Sequence, residues 1–404
     1  MPKTVWIINQ YAGSPHIGMN FRSYYLAKEL QHQDHHVTVF SGSFSHLFTN
    51  PPKVAKTFTK ERIDTIDYIW VKLPRYRASK SAKRLLSMLL FALKLFFFNP
   101  YSLKKPDVII ISSLSLFPVL NAYLWSKLFK AKLIVEVRDI WPLSLVELGN
   151  ISASHPLVIL LSWLERFAYR HADYVVSLLP KAKEHMVAQG LNPEKFVYIP
   201  NGIDLEELQH PQPLTPSVVS ELPRDKFIVG YAGTLGIANA LDYFLEAALL
   251  LKEVPAIHFV LVGNGSEKEA LINFAQTKQL YNVTFIEAIA KTQVPSMLQY
   301  FDVCYIGWHR YPLYRFGISA NKLFDYMYAQ KPILHSVEAG NDPIADAACG
   351  ISVAPENPQA IADAVMTLYA MNEQERRLLG ERARTYVVEH HSYRALAQRY
   401  SALF

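Results

Sequence analysis

Cysteine is scarce in this chain of 404 residues: Cys304 and Cys349 are the only two. They lie in separate segments without metal-ligand spacing, so both read as small core residues of a reduced, cytosolic protein. Charge is sparse as well, 19% against 50% hydrophobic residues, a balance that lets a chain bury a substantial core. No disordered or low-complexity tract is present, and no repeat at a solenoid period. No secretory leader is expected, because Met1-Pro2-Lys3-Thr4 leads straight into the strand-like Val5-Trp6-Ile7-Ile8.

What is present is a repeated alternation of apolar strands and helical stretches. The length suits two domains. In the first half, Val5–Asn9, Val37–Phe40, Asp107–Ile111, Leu133–Val137 and Tyr174–Leu178 read as strands. Helical patterns at Asn20–Gln31, Phe117–Phe129 and Leu157–Arg170 separate some of them. Continuous apolar runs of this kind belong to parallel strands covered on both faces. The pattern ends at Tyr198–Asp204, followed by the Pro-rich His210–Pro223, read as an exposed linker. It restarts at Phe227–Tyr231 and runs through His258–Val262, Val283–Ile286, Val303–Ile306 and Pro332–Val337. The expectation is α/β: two doubly wound, Rossmann-like parallel sheets facing a cleft. The domains are set at 1–204 and 205–380, with 381–404 a C-terminal helix packing back across the junction.

Five segments stand where such sheets hold ligands, at the C-terminal ends of strands. Gly13-Ser14-Pro15-His16-Ile17-Gly18 precedes the first helix, whose first turns carry Arg22. Free N–H groups there suit an anion; a plain βα turn is the alternative, and no Gly-x-Gly-x-x-Gly stands here. Tyr231-Ala232-Gly233-Thr234-Leu235-Gly236 repeats the logic in the second domain, and Val262-Gly263-Asn264-Gly265 follows the next strand. Gly317-Ile318-Ser319-Ala320-Asn321-Lys322-Leu323-Phe324-Asp325 opens a helix, with Lys322 placed for phosphate oxygens and Asp325 one turn on for ribose hydroxyls. Read plainly, it is a capped helix with a solvated Lys and Asp. Glu136-Val137-Arg138-Asp139-Ile140-Trp141-Pro142 sets an ion pair beside an aromatic ring, either an acceptor site or a structural Arg–Asp pair.

These motifs resemble the family-4 glycosyltransferases, and among them the bacterial surface-polysaccharide enzymes of the N-acetylfucosaminyl and colanic-acid type. Three runs carry the resemblance, which covers nearly the whole chain: Ile199–Asp204, Arg138–Pro142 and Ser319–Met327. It implies the two-domain GT-B fold and retaining transfer of a sugar, such as an N-acetylated hexosamine or deoxyhexosamine, from a nucleotide diphosphate. The acceptor would be a polyprenyl-diphosphate-linked or polysaccharide chain in O-antigen, capsule or exopolysaccharide synthesis. Gly18, Arg22, Gly233, Thr234, Ser319, Asn321, Lys322 and Leu323 would surround the diphosphate. Asp325, Asn264, Ile286 and Ala288 would hold ribose and base. Asp139, with His16, would serve the reacting centre, and Arg138 and Trp141 the acceptor. No metal or other cofactor is implied. The family's two glutamates, eight positions apart, fall here on Gly317 and Asp325, and its usual cations after the Gly233 loop are missing from Leu235–Ala240.

The segment Arg75–Phe98 joins a basic cluster (Arg75, Arg77, Lys80, Lys83, Arg84) to a Leu/Phe-rich run too short to span a bilayer. It suits a helix lying on the inner face of the cytoplasmic membrane, or else a buried core helix. Nucleic acid is not an expected partner, since the cations accompany aliphatic residues and no reader motif. Competing readings are an epimerase or inverting transferase of the same fold, and a non-enzymatic two-domain binding protein.

Overall fold

The computed structural model describes residues 1–18, 21–76, 82–113 and 115–404. The chain divides into two compact units, Met1–Asn201 with Tyr393–Phe404, and Gly202–Ser392. Residues 381–392 thus stay in the second unit, and only Tyr393–Phe404 returns to the first.

The first unit is built on an eight-stranded sheet. In chain order its strands are β1 (Thr4–Ile8), β2 (His36–Gly42), β3 (Phe58–Ile63), β4 (Ile66–Val71), β5 (Val108–Ser113), β6 (Lys132–Val137), β7 (Tyr174–Ser177) and β8 (Phe196–Tyr198). They lie in the order β3-β4-β2-β1-β5-β6-β7-β8, parallel throughout except for the β3–β4 hairpin at one edge. The hairpin escaped the sequence reading because Phe58–Ile63 is half exposed and charged, as an edge strand tolerates. The central strands β1 and β5 are buried along their whole length.

A small acidic device sets their register. Asp107, just ahead of β5, accepts the Thr4 N–H at 2.8 Å, and Asp173, ahead of β7, accepts the Leu133 N–H at 2.8 Å. Asp302 does the same for Ile228 in the second unit. Each side chain satisfies a strand-end donor that the ladder leaves unpaired.

The C-terminal helix Tyr393–Ser401 lies in the first unit's core with Tyr393, Leu396, Ala397 and Tyr400 against the helix Arg22–His32. Tyr25 and Tyr393 meet with ring centroids 5.1 Å apart.

The second unit has six parallel strands in the order β11-β10-β9-β12-β13-β14. They are β9 (Phe227–Ala232), β10 (Ile257–Val262), β11 (Val283–Ile286), β12 (Val303–Gly307), β13 (Ile333–Ser336) and β14 (Gly350–Val353). Apolar clusters cover both of its faces. The stretch read as a Pro-rich linker holds a helix, Pro216–Glu221. Proline suits a first helical turn, and Val218 and Leu222 tie it to the core. Cys304 and Cys349 are both free and buried.

Candidate functional site

In the second unit, the ends of β9 and β10 form two loops packed backbone to backbone. Gly233 N–H bonds to the Val262 carbonyl at 2.9 Å, and Leu235 N–H to the Asn264 carbonyl at 2.9 Å. Gly263 has φ +144°, and a Cβ there would overlap the Gly233 carbonyl oxygen. Only glycine permits that approach.

Gly233 makes room for something else. A Cβ on it would lie 2.5 Å from Cε and 2.6 Å from Nζ of Lys322. The ammonium sits 4.0 Å from the centroid of the Tyr231 ring, donates to the Tyr231 hydroxyl, and reaches Asn239 Oδ1 at 3.4 Å. Removal from water pushes Lys322 down to about 7, against the pull of Asp325. A cation held there with neutral partners gains from an anion's arrival. Asn239 was not singled out from the sequence, and Tyr231 only as the start of the Gly233 loop, because neither belongs to a charged motif. The strand–loop geometry alone brings them to Lys322.

Lys322 lies in the first turn of the helix Asn321–Tyr328. Its cap residue is Ala320, which contributes no side-chain hydrogen bond, so the helix start is not closed by its own cap. Asn321 is exposed and Ser319 half-buried beside it, whereas the Leu323 side chain is fully in the core. The Leu323 N–H donates to the Ala320 carbonyl at 3.2 Å, so Leu323 closes the first helical turn rather than facing a ligand.

One turn on, Asp325 borders a cavity of about 430 Å³, lined also by Glu207, Lys291, Val294, Tyr328 and Arg384. Loss of solvent pushes its carboxyl up to about 7; Lys291 and Lys322 pull it down and Glu207 raises it. Lys291 and Glu207 pair at 2.8 Å. Neither carried a sequence signal, since each is one polar residue in an ordinary loop or short helix. Asn264 and Ala288 are exposed at the neighbouring strand ends. The Ile286 side chain is buried, which leaves only its backbone for a base, and its carbonyl accepts the Gly263 N–H at 3.0 Å, holding the loop.

Gly317, where a glutamate was to be expected, has φ +108°. A side chain there would be strained. The turn around it is tied by the Gly317 and Gly340 N–H groups to the Tyr314 carbonyl, and by the Ile318 N–H to Asn341 Oδ1 at 2.7 Å.

In the first unit the sequence candidates divide. Gly18 (φ +128°) lies where the loop crosses Leu47–Thr49, and a Cβ would meet Thr49 N at 2.6 Å. His16 is an exposed residue 3.9 Å from Asp64. Arg22 does not face a ligand. It is buried, its Nε bonds to Glu136 at 2.9 Å, and its other nitrogens donate to the carbonyls of Ile199 and Pro200. A guanidinium so engaged is a structural post rather than a diphosphate ligand.

Asp139 follows β6 as an exposed residue. Crowding by the protein nevertheless raises its carboxyl, and Arg138 beside it pulls the other way. Trp141 packs in part against the cluster that includes Tyr11 and Met88. Among the described residues, no three His, Cys, Asp or Glu side chains are grouped to hold a metal ion.

A family model described as a glycosyl transferase 4-like domain matches residues 18–202, and one described as glycosyl transferases group 1 matches residues 217–386. The chain belongs to the glycosyltransferases. A protein of Escherichia coli K12, named for colanic acid biosynthesis as the glycosyl transferase WcaI, is 27% identical over 58% of this chain and 59% of its own length. An Escherichia coli UDP-Gal:alpha-D-GlcNAc-diphosphoundecaprenol alpha-1,3-galactosyltransferase is 28% identical over 37% of this chain and 41% of its own. The glycosyltransferase thus spans about three fifths or less of the length of these relatives. A solved Escherichia coli structure, described as trehalose-6-phosphate bound with UDP-2-fluoro glucose, superposes over 99% of this chain and 98% of its own. The TM-score is 0.73 at 14% identity, a likeness that shows the GT-B fold.

Proposed function

We propose that this glycosyltransferase moves a sugar, with retention of configuration, from a nucleotide diphosphate to a lipid-linked acceptor of a cell-surface glycan. The observation that carries the reading is the Lys322 ammonium, held over the Gly233 loop at the start of an uncapped helix. A leaving diphosphate bound there meets a cation at a helix N-terminus, the arrangement that stabilises charge developing in a transition state. The reading requires no resident metal for that task. Asp325 holds the ribose, and the exposed Asn264 and Ala288 border the base. On the first unit, Asp139 orients or deprotonates the acceptor hydroxyl, desolvation having raised its carboxyl and so its basicity. The relatives' names support the substrate classes: one in colanic acid synthesis, one acting on a diphosphoundecaprenol acceptor.

The protein also reads as peripheral on the inner membrane face. The helix Ala82–Leu95 buries Met88, Phe91, Ala92 and Leu95, yet exposes Leu86, Leu89 and Leu93, with Phe96 and Phe97 just beyond. It therefore serves as core helix on one side and as an apolar surface on the other. Helix Pro156–His171 shares its buried cluster and exposes Ile159, Leu160 and Trp163. Arg75 and Lys83 are exposed nearby in sequence; Arg77 and Lys80 lie outside the described residues. Among the described residues no helix is long and apolar enough to cross a membrane.

The test is transfer from a panel of nucleotide sugars to a polyprenyl-diphosphate-linked sugar, with the product's anomeric configuration read by NMR. An inverted product would overturn retention. Asp139→Asn is expected to keep donor binding and lower turnover at least a hundredfold, the usual scale of general-base loss. Near-normal turnover at saturating acceptor would reduce Asp139 to a partner of Arg138.

A further inference from the structure

β9 and β12 are neighbours at the point where the strand order of the second sheet reverses, the place where open α/β sheets carry their crevice. Their ladder is short. It pairs Val229 with Val303 and Gly230 with Cys304, then stops, although the strands run on to Ala232 and Gly307. On its other side β9 stays paired with β10 as far as Ala232. A seam therefore opens between the ends of β9 and β12.

A side chain fills that seam. Ala232 lies two residues beyond Gly230, so it turns its N–H and C=O toward β12, where the ladder has ended. The Tyr326 hydroxyl takes both: it accepts the Ala232 N–H at 2.8 Å and donates to the Ala232 carbonyl at 3.0 Å. Tyr326 is fully buried, in the apolar cluster that also holds Ala232, Cys304 and Ile306. One hydroxyl thus satisfies two backbone groups that burial would otherwise leave unpaired.

The helix Asn321–Tyr328 carries Lys322 and Tyr326 four residues apart, on one face. Lys322 reaches the neighbouring residue of β9. Its ammonium donates to the Tyr231 hydroxyl, which itself donates to the Thr234 carbonyl at 2.6 Å. The Tyr231 proton is thus committed to the Gly233 loop, and its oxygen is left to accept from Lys322. Asn239 Oδ1 takes a second ammonium proton at 3.4 Å. An ammonium has three donors, so one remains for a phosphate oxygen. Two consecutive residues of β9 fasten one helix face: Ala232 through Tyr326 in the seam, Tyr231 through Lys322 at the rim.

We infer that the hydroxyls of Tyr326 and Tyr231 are positioning groups for the leaving diphosphate. Tyr326 fixes the height of the helix start against the Gly233 loop, and Tyr231 aims the Lys322 ammonium. This rests on the reading of Lys322 as the diphosphate site. Both tyrosines act through Lys322 rather than on the diphosphate itself. A lysine ordered before binding spares the ligand the loss of its rotamer freedom, worth about tenfold in affinity.

The experiment is calorimetry of UDP and of GDP on the full chain from pH 7 to 9. The variants are Tyr326→Phe, Tyr231→Phe, Lys322→Ala and each tyrosine change combined with Lys322→Ala. Tyr231→Phe keeps the ring beside the ammonium, and Asn239 Nδ2 still donates to the Thr234 carbonyl at 3.0 Å, so the hydroxyl is lost without unpairing that carbonyl. Each tyrosine variant should bind the accepted diphosphate about tenfold more weakly at pH 7. Held by Tyr231 and Asn239, with Asp325 one turn on, Lys322 titrates at about 7. Released to solvent, it stays protonated to pH 9. The fall of affinity expected of the wild type between pH 7 and 9 should therefore flatten in both variants. On the Lys322→Ala background neither tyrosine change should weaken binding further. Variants with a lower thermal midpoint but wild-type affinity and pH profile overturn the inference, since the hydroxyls then serve packing alone. Losses that add in full to that of Lys322→Ala overturn it too. If Tyr326→Phe does not fold, Tyr231→Phe decides by the same readings. If Lys322→Ala binds like the wild type, or neither UDP nor GDP binds the wild type, the Lys322 reading has failed and this inference with it. Unchanged tyrosine variants beside a weakened Lys322→Ala overturn this inference alone.

Discussion

Lys322 shows how one residue's meaning depends on its surroundings. In the sequence it is a helix-start lysine, either placed for phosphate oxygens or simply solvated. In the structure it is an ammonium shielded by Tyr231 and titrating at about 7 rather than 10.5. Between those two values the unfolded chain carries a proton that the folded chain lacks, so this group's contribution to stability rises with pH across that window. Diphosphate binding should reverse the shift. Above pH 7 binding takes up a proton, and affinity for the accepted nucleoside diphosphate falls as pH rises from 7 to 9. Calorimetry at pH 8 in buffers of different ionisation heat should show that uptake. Lys322→Ala should abolish the uptake and weaken affinity roughly tenfold to a hundredfold, the 1.5–3 kcal/mol of a hydrogen bond to a charged group. Unchanged affinity and unchanged proton uptake would make Lys322 a packing residue.

Elements decide what the glycines do. Gly233 and Gly263 look alike as loop glycines at strand ends, yet they face different neighbours. Alanine at Gly233 would press on the flexible end of Lys322, which can move aside. Gly233→Ala should therefore lower diphosphate affinity, with a stability cost from backbone strain at φ +157° that stays below the cost at Gly263. Alanine at Gly263 would strike the Gly233 backbone, which cannot move without opening the paired loops. Gly263→Ala should cost about 1–3 kcal/mol in denaturant unfolding, the usual penalty of overpacking; equal effects from the two variants would contradict this division. In the first unit, Glu136 on β6 joins three elements. It accepts from Arg22, from Ser112 Oγ at 2.7 Å and from the Tyr400 hydroxyl of the C-terminal helix. Burial alone would raise its carboxyl, but Arg22 and Arg138 outweigh that and hold it below the usual range. Glu136→Gln leaves the Arg22 charge uncompensated and should cost about 3–5 kcal/mol. Tyr400→Phe removes one hydrogen bond and should cost about 1 kcal/mol. If Glu136→Gln unfolds at the wild-type denaturant concentration, the cluster does not hold the C-terminal helix.

At the scale of the whole molecule, the exposed Leu/Phe surface predicts a two-part response to lipid. On vesicles rich in anionic lipid, co-sedimentation should fall with salt as charge is screened, but not vanish. Arg75→Glu with Lys83→Glu should weaken binding at low salt, by about 1 kcal/mol per cation removed. Leu93→Ser with Phe97→Ser should remove the salt-resistant part. Wild-type protein that stays in the supernatant at low salt would leave this surface without a membrane role. The sequence by itself determined the two parallel sheets, because buried strand segments such as Val108–Ile111 are unbroken apolar runs. It also determined the family, through motifs that are contiguous in the chain. It missed the β3–β4 hairpin, whose edge strand is too polar to stand out, and it misassigned Arg22, whose partners Glu136, Ile199 and Pro200 are more than a hundred residues away. Only the tertiary structure decided that Arg22 is a buried post, that Tyr231 and Asn239 shield Lys322, and that Gly317 can hold no carboxylate. The reason is physical: whether a charge is solvated, paired or facing a site depends on which distant elements the fold brings against it, and no local pattern encodes that.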